Sequence, residues 1–332
     1  KKRNIYLTSS GTEATESCMK IMLRHGQKQE KKKSKILSIE GNYHGRTMGA
    51  QLMSDNKDQS LWITSKDKRI YHIDFPYPWE KKFDKSEFFI NSIKKRFSKN
   101  FNFKNNICGI MLEAFQGWGA FFYPKNYIKS LVRFAKKNDI LISIDEMQSG
   151  FGRTGKKFAF EHYDFTPDIV CCGKGMGSGL PLSGIISSKK LIDVDNANLQ
   201  STHSGNPFSC AAGSVTLDEI KRLKLVNQSK EKGKILLKKL NQIKNENKDI
   251  ISFITGKGLI AAIIFKKFKG IEAKKIATDI CKICLKNGVL LVNTNRDSIK
   301  LGPPLVITKR EIIDSMRVLS NAFKEYRLKN EN

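Results

Sequence analysis

A lysine enclosed by glycines is the first feature of this sequence that is suited to chemistry. Lys174 follows the apolar run Ile169–Cys172 within the stretch DIVCCGKGMGSGLP. A lysine that only needs solvent usually lies on a helix face, whereas this one follows a predicted buried strand and precedes flexible backbone. The pattern indicates an amine that another molecule must approach closely.

A carboxylate ends another predicted strand. Asp145 follows the run ILISI and opens the glycine-rich segment DEMQSGFGRTG, 29 residues before Lys174. An acid in this place can bind a metal, act as a base or pair with a cationic ring nitrogen, and it can equally cap the next element. The residues alone leave these alternatives open.

A helix start that suits an anion lies near the beginning of the chain. The segment SSGTEATES follows the strand-like NIYLT, and Ser10 and Glu13 have the spacing of a capping box, which by itself explains them. Gly11 and Thr12 would also leave backbone N–H groups free at a helix N-terminus, an arrangement that suits a phosphate. Taken singly, this segment favours an ordinary helix start.

The combination changes this balance. An amine, an acid at a strand end, a phosphate-suited helix start and the aromatic segment GNYHGRT occur in one chain. Pyridoxal phosphate needs these parts: an amine for a Schiff base, an acid that keeps the ring nitrogen protonated, a phosphate cradle and a face to stack on. The four segments together therefore predict a pyridoxal phosphate site.

Five segments, in this order, resemble the class III aminotransferases of the fold type I superfamily of pyridoxal-phosphate enzymes. They are SSGTEATES, GNYHGRT, DEMQSGFGRTG, PDIVCCGKGMGSGLPLSG and STHSGNPFSCAA. The resemblance runs from Ser9 to about Ile307 and extends to 4-aminobutyrate, ornithine and acetylornithine aminotransferases. It implies pyridoxal 5'-phosphate as cofactor and transfer of an amino group from an amino acid or ω-amine donor to a 2-oxo acid, either 2-oxoglutarate or pyruvate.

The resemblance also implies roles for individual residues. Lys174 would hold the cofactor as a Schiff base and then move the substrate α-proton, and burial would keep its amine neutral and nucleophilic. Asp145 would keep the pyridine nitrogen protonated. The remaining cofactor-binding residues that it implies are Gly11 and Thr12 at the phosphate, Tyr43 stacked on the ring, His44 beside it, Gln148 at the ring oxygen and Thr202 at the phosphate of the neighbouring subunit. The role of Thr202 implies a homodimer with shared active sites. For Tyr43 and His44, packing in the core is an alternative explanation.

Two positions depart from the family pattern. Trp118, in EAFQGWGAFF, stands where many members that act on ω-amines have a glutamate, and Lys300, in SIKLGPPLVIT, stands where its partner arginine is common. The resemblance therefore implies that Trp118 and Lys300 contribute to substrate binding without the usual ion pair, with Arg296 as a further candidate cation. Trp118 is also explained by a place in the core.

The predicted elements place the acid and the lysine at strand ends. The β-branched apolar runs are Ile36–Ile39, Ile107–Leu112, Ile140–Ile144, Ile169–Cys172 and Gly184–Ser187, and helical patterns such as Thr12–Arg24 and Tyr127–Lys137 lie between several of them. Strands that alternate with helices predict an α/β fold with a mainly parallel sheet, where ligands gather at the carboxyl ends of the strands.

The chain is long enough for two domains. We expect a large cofactor-binding domain over residues 1–222, lacking its N-terminal part, and a smaller C-terminal α+β domain over residues 223–332. From about Val215 a lysine-rich helical stretch is predicted to run to Asn247, and the strand-rich ISFITGKGLIAAIIF follows.

Composition excludes several classes of function. The net charge is +28, but only 12 of the 60 basic residues are arginine, so we expect a solvated lysine-rich surface and no nucleic-acid partner. No apolar run approaches the roughly 18 residues of a membrane helix and no signal peptide opens the chain, which predicts a cytoplasmic protein without a membrane partner. Cys281 and Cys284 share one face of a predicted helix, which favours core packing over a metal site.

Two alternatives stay open at this point. A racemase, epimerase or aminomutase of the same fold would use the same lysine and acid but reprotonate a different atom. A basic binding protein that kept the fold without the chemistry is the other alternative. Release of an oxo product from an amino donor separates the aminotransferase from both.

Overall fold

The computed structural model describes residues 3–28, 33–56, 58–64, 67, 69–80, 87–193 and 199–330. The chain divides into two compact units. Unit 1 comprises Lys1–Phe115, Tyr123–Gly150 and Ala159–Glu219, and unit 2 comprises Gln116–Phe122, Phe151–Phe158 and Ile220–Asn332. The change of unit near residue 219 lies close to the division expected after residue 222, while two short segments from earlier in the chain belong to unit 2. The domain boundary itself stays a prediction.

Unit 1 is an α/β unit around one mixed sheet. The strands are β1 (Asn4–Thr8), β2 (Lys35–Ile39), β3 (Ile70–Ile73), β4 (Ile107–Glu113), β5 (Leu141–Asp145), β6 (Ile169–Cys172) and β7 (Ser183–Ser187). Among the described residues they lie in the order β1-β7-β6-β5-β4-β2-β3. β2 to β6 pair in parallel, and β7 runs antiparallel to both of its neighbours. The expected mainly parallel sheet is confirmed.

The helices of unit 1 follow the expected alternation with strands. They are α1 (Gly11–Gln27), α2 (Met48–Met53), α3 (Glu87–Arg96), α4 (Phe103–Asn106), α5 (Lys125–Lys137), α6 (Lys189–Ile192) and α7 (Pro207–Arg222), and the chain leaves unit 1 within α7. One face of α1 is apolar because Ala14, Cys18, Ile21 and Met22 recur at helical spacing, and this face packs in a buried cluster with Met111, Cys171 and Ile185 from the strands. Each large side chain buried here stabilises the unit by roughly 2 kcal/mol.

Unit 2 is a smaller α+β unit. Its helices are α8 (Leu225–Glu246), α9 (Ala273–Lys286) and α10 (Lys309–Asn330), and its strands are β8 (Ile251–Lys257), β9 (Ile260–Phe265), β10 (Val292–Asn293) and β11 (Ser298–Leu301). The strands form an antiparallel sheet in the order β10-β11-β9-β8. Apolar faces of the three helices and of the sheet share one core.

Two details of unit 2 differ from the sequence-based expectation. The lysine-rich helical stretch that was predicted to run to Asn247 consists of two helices, because Lys224 has a left-handed φ of 52° and separates α7 from α8. Cys284 is buried in the core as expected, whereas Cys281 is only half-buried. Across the described ranges, no group of three or more His, Cys, Asp or Glu side chains could hold a metal ion, and no helix combines the length and apolarity that crossing a membrane requires.

Candidate active site

Three neighbouring parallel strands of unit 1 end at one edge of the sheet. Asp145 is the last residue of β5, and its register partners are Glu113 at the end of β4 and Cys171 near the end of β6. Lys174 follows Cys171 by three residues. The acid and the lysine that the sequence singled out therefore leave the sheet from adjacent strands on the same side, where α/β proteins bind ligands.

Asp145 is buried, with 5% of its surface exposed. Its Oδ2 accepts a hydrogen bond from His44 Nδ1 at 2.9 Å, and its Oδ1 accepts one from the backbone N–H of Met147 at 2.9 Å. A carboxylate only accepts, so Nδ1 of His44 carries the proton. Each oxygen keeps a further lone pair, so Asp145 can still accept a hydrogen bond from an N–H group of a bound ring.

His44 is the buried partner that orients this carboxylate. Its backbone N–H donates to Ser54 Oγ at 2.8 Å, and its carbonyl oxygen accepts from Thr15 Oγ1 at 2.7 Å. Its Nε2 is buried and has no hydrogen-bond partner among the described residues. A buried ring nitrogen without a partner is costly. Because this nitrogen belongs to the residue that binds Asp145, the site is polar and lacks one hydrogen-bond partner among the described residues.

Glu146 fixes the turn that follows Asp145. One oxygen accepts from the Ser149 hydroxyl and, at 3.0 Å, from the N–H of Ala159, and the other accepts from the N–H of Phe160 at 2.8 Å. Burial, opposed in part by these hydrogen bonds, raises the pKa of Glu146 to about 7. The side chain faces the fold and not solvent, so its role is to shape the turn.

Met147 brings three of the predicted segments together. A Cβ placed at Gly11 would lie 3.0 Å from Met147 Sδ, and a Cβ placed at Gly173 would lie 2.8 Å from the same atom and 2.4 Å from Ser183 Oγ. The backbone N–H of Met147 is the group that binds Asp145. The start of α1, the end of β5 and the residue before Lys174 thus pack around one methionine.

Lys174 lies in a left-handed backbone conformation with φ of 44°, at the start of a short 3-10 turn over Lys174–Met176. A lysine there carries conformational strain of order 1 kcal/mol or more, which is typical of functional positions. We expected a buried amine, but in the single chain the side chain is exposed. Its amine makes no hydrogen bond or ion pair with any residue that the structure describes.

The start of α1 has the predicted capping box. Ser10 Oγ accepts from the N–H of Glu13 at 3.3 Å, and Glu13 Oε2 accepts from the N–H groups of Ser9 at 2.8 Å and Ser10 at 3.3 Å. Gly11 and Thr12 lie in the first turn, whose N–H groups have no acceptors inside the helix. Free N–H groups at the positive end of a helix dipole suit an anion.

The aromatic segment lies against this helix start. Gly45 has φ of 137°, and a Cβ there would lie 2.5 Å from Thr12 Oγ1, so only glycine allows this close approach. Tyr43 is 42% exposed, and its backbone N–H donates to Glu113 Oε2 at 3.1 Å. An exposed ring on a fixed backbone is available for stacking.

The other predicted residues of unit 1 lie at less constrained positions. Gln148 is half-buried, and its amide makes no hydrogen bond within the described residues. Thr202 is exposed on a turn and lines a cleft of about 730 Å³ together with β1 residues Ile5–Leu7. The neighbouring Ser201 Oγ donates to Glu13 Oε1, in the first turn of α1, at 3.3 Å, whereas Thr202 itself makes no hydrogen bond to that turn among the described residues. The family resemblance expects the counterpart of Thr202 at the phosphate from another subunit.

Trp118 and Lys300 belong to unit 2. The half-buried indole of Trp118 donates from Nε1 to Gln116 Oε1 at 2.6 Å, and the guanidinium carbon of Arg296 lies 5.0 Å from the ring centroid, a cation–π contact. Ser298 Oγ also donates to the backbone oxygen of Trp118 at 3.1 Å. Lys300 lies on β11 and is half-buried. Arg296, the further candidate cation, therefore contacts Trp118.

The family model described as Aminotransferase class-III matches residues 1–323. The chain belongs to the class III aminotransferases. Class III aminotransferases depend on pyridoxal phosphate and transfer an amino group to a 2-oxo acid, and this chain is an enzyme of that kind.

Curated relatives of this class III aminotransferase carry related names. It is 31% identical to ornithine aminotransferase 1 from Staphylococcus saprophyticus over 98% of this chain and 76% of the relative. It is 29% identical to acetylornithine aminotransferase from Caldanaerobacter subterraneus subsp. tengcongensis over 97% of this chain and 76% of the relative. Both alignments cover nearly the whole of this chain, as the match to the family model does.

Solved structures share the fold of this class III aminotransferase. An aminotransferase from Bacillus anthracis superposes with a TM-score of 0.87 at 24% identity and covers 98% of this chain and 77% of its own. An (S)-enantioselective omega-transaminase from Thermomicrobium roseum superposes with a TM-score of 0.87 at 25% identity and covers 97% of this chain and 75% of its own. The α/β architecture is therefore that of the fold type I enzymes.

The residues of this aminotransferase fit pyridoxal phosphate. A buried carboxylate with spare lone pairs suits the pyridine nitrogen, and the N–H groups at the start of α1 suit the phosphate. Between these two lies Met147, against which the residue before Lys174 also packs. This cofactor requires an acceptor, an anion site and an amine, and the acceptor, the helix start and the backbone that leads into Lys174 converge on Met147.

Sequence reasoning missed several residues that shape the site. Two of them bind predicted site residues: Glu113 accepts from Tyr43, and Met147 donates to Asp145. The third is Gly45, where a Cβ would clash with Thr12. Of these three residues, only Gly45 gives a signal in the sequence. It is a glycine before a basic residue in GNYHGRT, and glycine is the residue that a positive φ favours. The contacts of Glu113 and Met147 depend on which strand ends lie side by side, and no spacing in the sequence gives that.

Proposed function

We propose that Lys174 and Asp145 are the catalytic residues of this aminotransferase, and that Gly11, Thr12, Tyr43, His44, Gln148 and Thr202 bind the cofactor with them. The observation that carries the proposal is the convergence on Met147 of the start of α1, the buried Asp145 and the residue before Lys174. The strained backbone of Lys174 and the absence of described partners for its amine support the same assignment.

Each residue has a distinct task in the proposed mechanism. Pyridoxal phosphate, when bound, supplies a carbonyl that exchanges amines and a ring that accepts the electrons of the breaking C–H bond. Lys174 Nζ would take the proton from the substrate α-carbon and would deliver a proton on the cofactor side. Water would then release the donor as its oxo product, and the amino group would stay behind for transfer to the 2-oxo acid. Asp145 holds a proton at the pyridine nitrogen, and His44 holds Asp145 in place through Nδ1.

The remaining cofactor residues orient the ring. Gly11 and Thr12 bind the phosphate through the N–H groups of the first turn of α1, Tyr43 covers one face of the ring, and Gln148 donates to the ring oxygen. These roles rest on the resemblance of the segments that contain them and on the exposed ring of Tyr43.

We propose a homodimer in which Thr202 serves the active site of the neighbouring subunit. Its exposed turn and its position in unit 1 leave it available to another chain. A second subunit would also cover Lys174, whose exposure in the single chain leaves the amine more hydrated than the mechanism requires. We also propose that this dimer is cytoplasmic, as the sequence predicts.

For the substrate we propose a donor of the diamino acid class, because named relatives are ornithine and acetylornithine aminotransferases. Trp118 and Lys300 are proposed to contact it. A tryptophan in place of a glutamate removes the negative charge that pairs with the arginine in many members of the family. Lys300 binds the substrate carboxylate as a point charge, without the fork of an arginine.

Trapping of the cofactor tests the assignment of Lys174. Borohydride treatment of the protein with pyridoxal phosphate is expected to label one peptide, the one that contains Lys174, and the Lys174→Ala variant is expected to lose both label and activity. The Lys189→Ala variant, which removes an exposed lysine of α6, serves as the control and is expected to keep both. Label on another lysine would refute the assignment.

A donor and acceptor panel tests the reaction class. Ornithine, N-acetylornithine, 4-aminobutyrate and alanine are offered as donors, with 2-oxoglutarate and pyruvate as acceptors. We expect one diamino donor to yield an oxo product in amounts equal to the new amino acid. Racemisation or isomerisation of a donor without any oxo product would favour the racemase, epimerase or aminomutase instead.

A further inference from the structure

A single carboxylate joins α1 to the segment that carries Tyr43 and His44. Glu16, in the second turn of α1, accepts three hydrogen bonds on its Oε1. The donors are the Thr47 hydroxyl at 2.5 Å and the backbone N–H groups of Gly49 at 2.8 Å and Ala50 at 3.2 Å. Neither the resemblance nor the capping box assigns a role to Glu16.

The hydroxyl protons of this network have one consistent arrangement. A carboxylate only accepts, so Thr47 donates its single hydroxyl proton to Glu16. The Oγ1 atoms of Thr12 and Thr47 lie 2.6 Å apart. Because the proton of Thr47 is already used, Thr12 donates to Thr47, and the proton of Thr12 is committed to this chain of hydrogen bonds.

Packing holds the same segment against α1. A Cβ at Gly49 would lie 3.1 Å from Met19 Sδ and 3.2 Å from Glu16 Cδ. Thr47 is the N-cap of α2 but makes no side-chain cap hydrogen bond. Glu16 satisfies the exposed N–H groups of that helix start in its place, so loss of its carboxylate would leave donors of α2 without acceptors.

We propose that Glu16 is a positioning residue for the cofactor phosphate, which acts through Thr47 to fix the hydroxyl of Thr12. The inference rests on the proposed function, which assigns the start of α1 to the phosphate. Glu16 keeps the Thr12 hydroxyl donating its hydrogen bond to Thr47. The anion therefore meets backbone N–H groups whose position relative to Tyr43 and His44 does not drift. Preorganised donors bind an anion more tightly than mobile ones.

Four variants test the network: Glu16→Ala, Glu16→Gln, Thr47→Val and the double variant Glu16→Ala with Thr47→Val. The readouts are the Kd of pyridoxal phosphate, from the absorbance change on titration, and the Tm of the cofactor-free protein. We expect Glu16→Ala and Thr47→Val each to weaken binding by about tenfold, and the double variant to be no weaker than either, because contacts in one network are not additive. Glu16→Gln is expected to stay within about twofold, because its amide oxygen still accepts from Thr47.

The control and the contrary outcomes separate positioning from mere stability. Glu325→Ala removes a half-buried glutamate of α10 that pairs with Lys329, and it is expected to leave the Kd unchanged. A lower Tm for Glu16→Ala with an unchanged Kd would overturn the inference, as would effects of Glu16→Ala and Thr47→Val that multiply in the double variant. If the unaltered protein takes up no cofactor on Lys174, the proposed function fails as well. If it does and the variants bind equally well, only the inference fails.

Discussion

The buried Asp145 illustrates how this site holds charge at the level of single residues. A buried carboxylate without partners costs several kcal/mol, because its hydration is lost. Here His44 Nδ1 and the N–H of Met147 each donate to one oxygen at 2.9 Å. The adjacent Glu146 is buried against the turn that follows β5, and burial raises its pKa to about 7. The two consecutive acids have different partners, because Asp145 binds His44 and Met147 whereas Glu146 binds Ser149, Ala159 and Phe160.

The raised pKa of Glu146 predicts a pH dependence of stability. Between its usual pKa of 4.5 and about 7, Glu146 holds a proton in the folded chain but not in the unfolded chain. The folded state binds more protons in this range, so the contribution of Glu146 to the free energy of unfolding falls as pH rises through it, by on the order of 3 kcal/mol. Above about pH 7 the contribution is lost.

The Glu146→Gln variant tests this dependence. We compare the free energy of unfolding in urea for the unaltered chain and the variant from about pH 5 to about pH 8. The advantage of the unaltered chain is expected to shrink with rising pH, because the variant cannot titrate at this position. Glu325→Gln, at a half-buried glutamate of α10, gives the control. A difference that stays flat across the range would contradict the prediction.

At the level of elements, α1 serves the fold and the site with different parts of its length. Its apolar face packs on the strands, and its first turn presents N–H groups to an anion. The segment that follows β2 closes against that first turn, and Thr15 binds the carbonyl of His44. The position of His44, and through it of Asp145, therefore depends on how closely this segment approaches α1.

Gly45→Ala tests this close approach. The substitution places a Cβ 2.5 Å from Thr12 Oγ1 at a φ of 137°, so it combines backbone strain with a steric clash. We expect a loss in the free energy of unfolding of roughly 2–4 kcal/mol. Gly270→Ala is the matched control, because Gly270 has φ of 82° but no described atom within 4 Å of a Cβ.

The comparison of the two alanine variants isolates the contact. Gly270→Ala is expected to cost only the backbone term, about 1 kcal/mol. The excess at Gly45, measured by urea unfolding, then reports the contact with Thr12. Equal losses in the two variants would show that the segment moves away from α1 without cost.

At the level of the whole molecule, the exposed Lys174 and the exposed Thr202 point to the same requirement. Both residues lie in unit 1, and neither contacts the other predicted cofactor residues through a hydrogen bond that the structure describes. In the proposed dimer, each site takes Lys174 from one subunit and Thr202 from the other. Such sites can be reassembled from two inactive chains.

Mixing of Lys174→Ala and Thr202→Asp chains tests the shared site. Each variant alone is expected to be inactive, the first for want of the amine and the second because its carboxylate repels the phosphate. After unfolding and refolding together in equal amounts, about a quarter of the unaltered activity is expected, since half of the dimers are hybrids with one intact site. A mixture of Lys174→Ala with the double variant should stay inactive, and an active Thr202→Asp chain alone would rule out the shared role.

Much of the fold follows from local pattern. β6 coincides with its predicted run, β4 and β5 lie within one residue of theirs, and the capping box at Ser10 is confirmed. Apolar periodicity and caps act over a few residues, so the sequence displays them directly. The short β3 and the break at Lys224 were not foreseen, because neighbouring strands and packing decide them.

The sequence by itself determined the chemical parts: an amine between glycines, an acid at a strand end, a helix start suited to an anion, and their order along the chain. Only the tertiary structure decided which of them meet. His44 and Asp145 are 101 residues apart in sequence, and Thr47 and Glu16 are 31 apart. Contacts over such distances depend on which strand ends adjoin and how closely a loop packs on a helix, and those are properties of the folded chain.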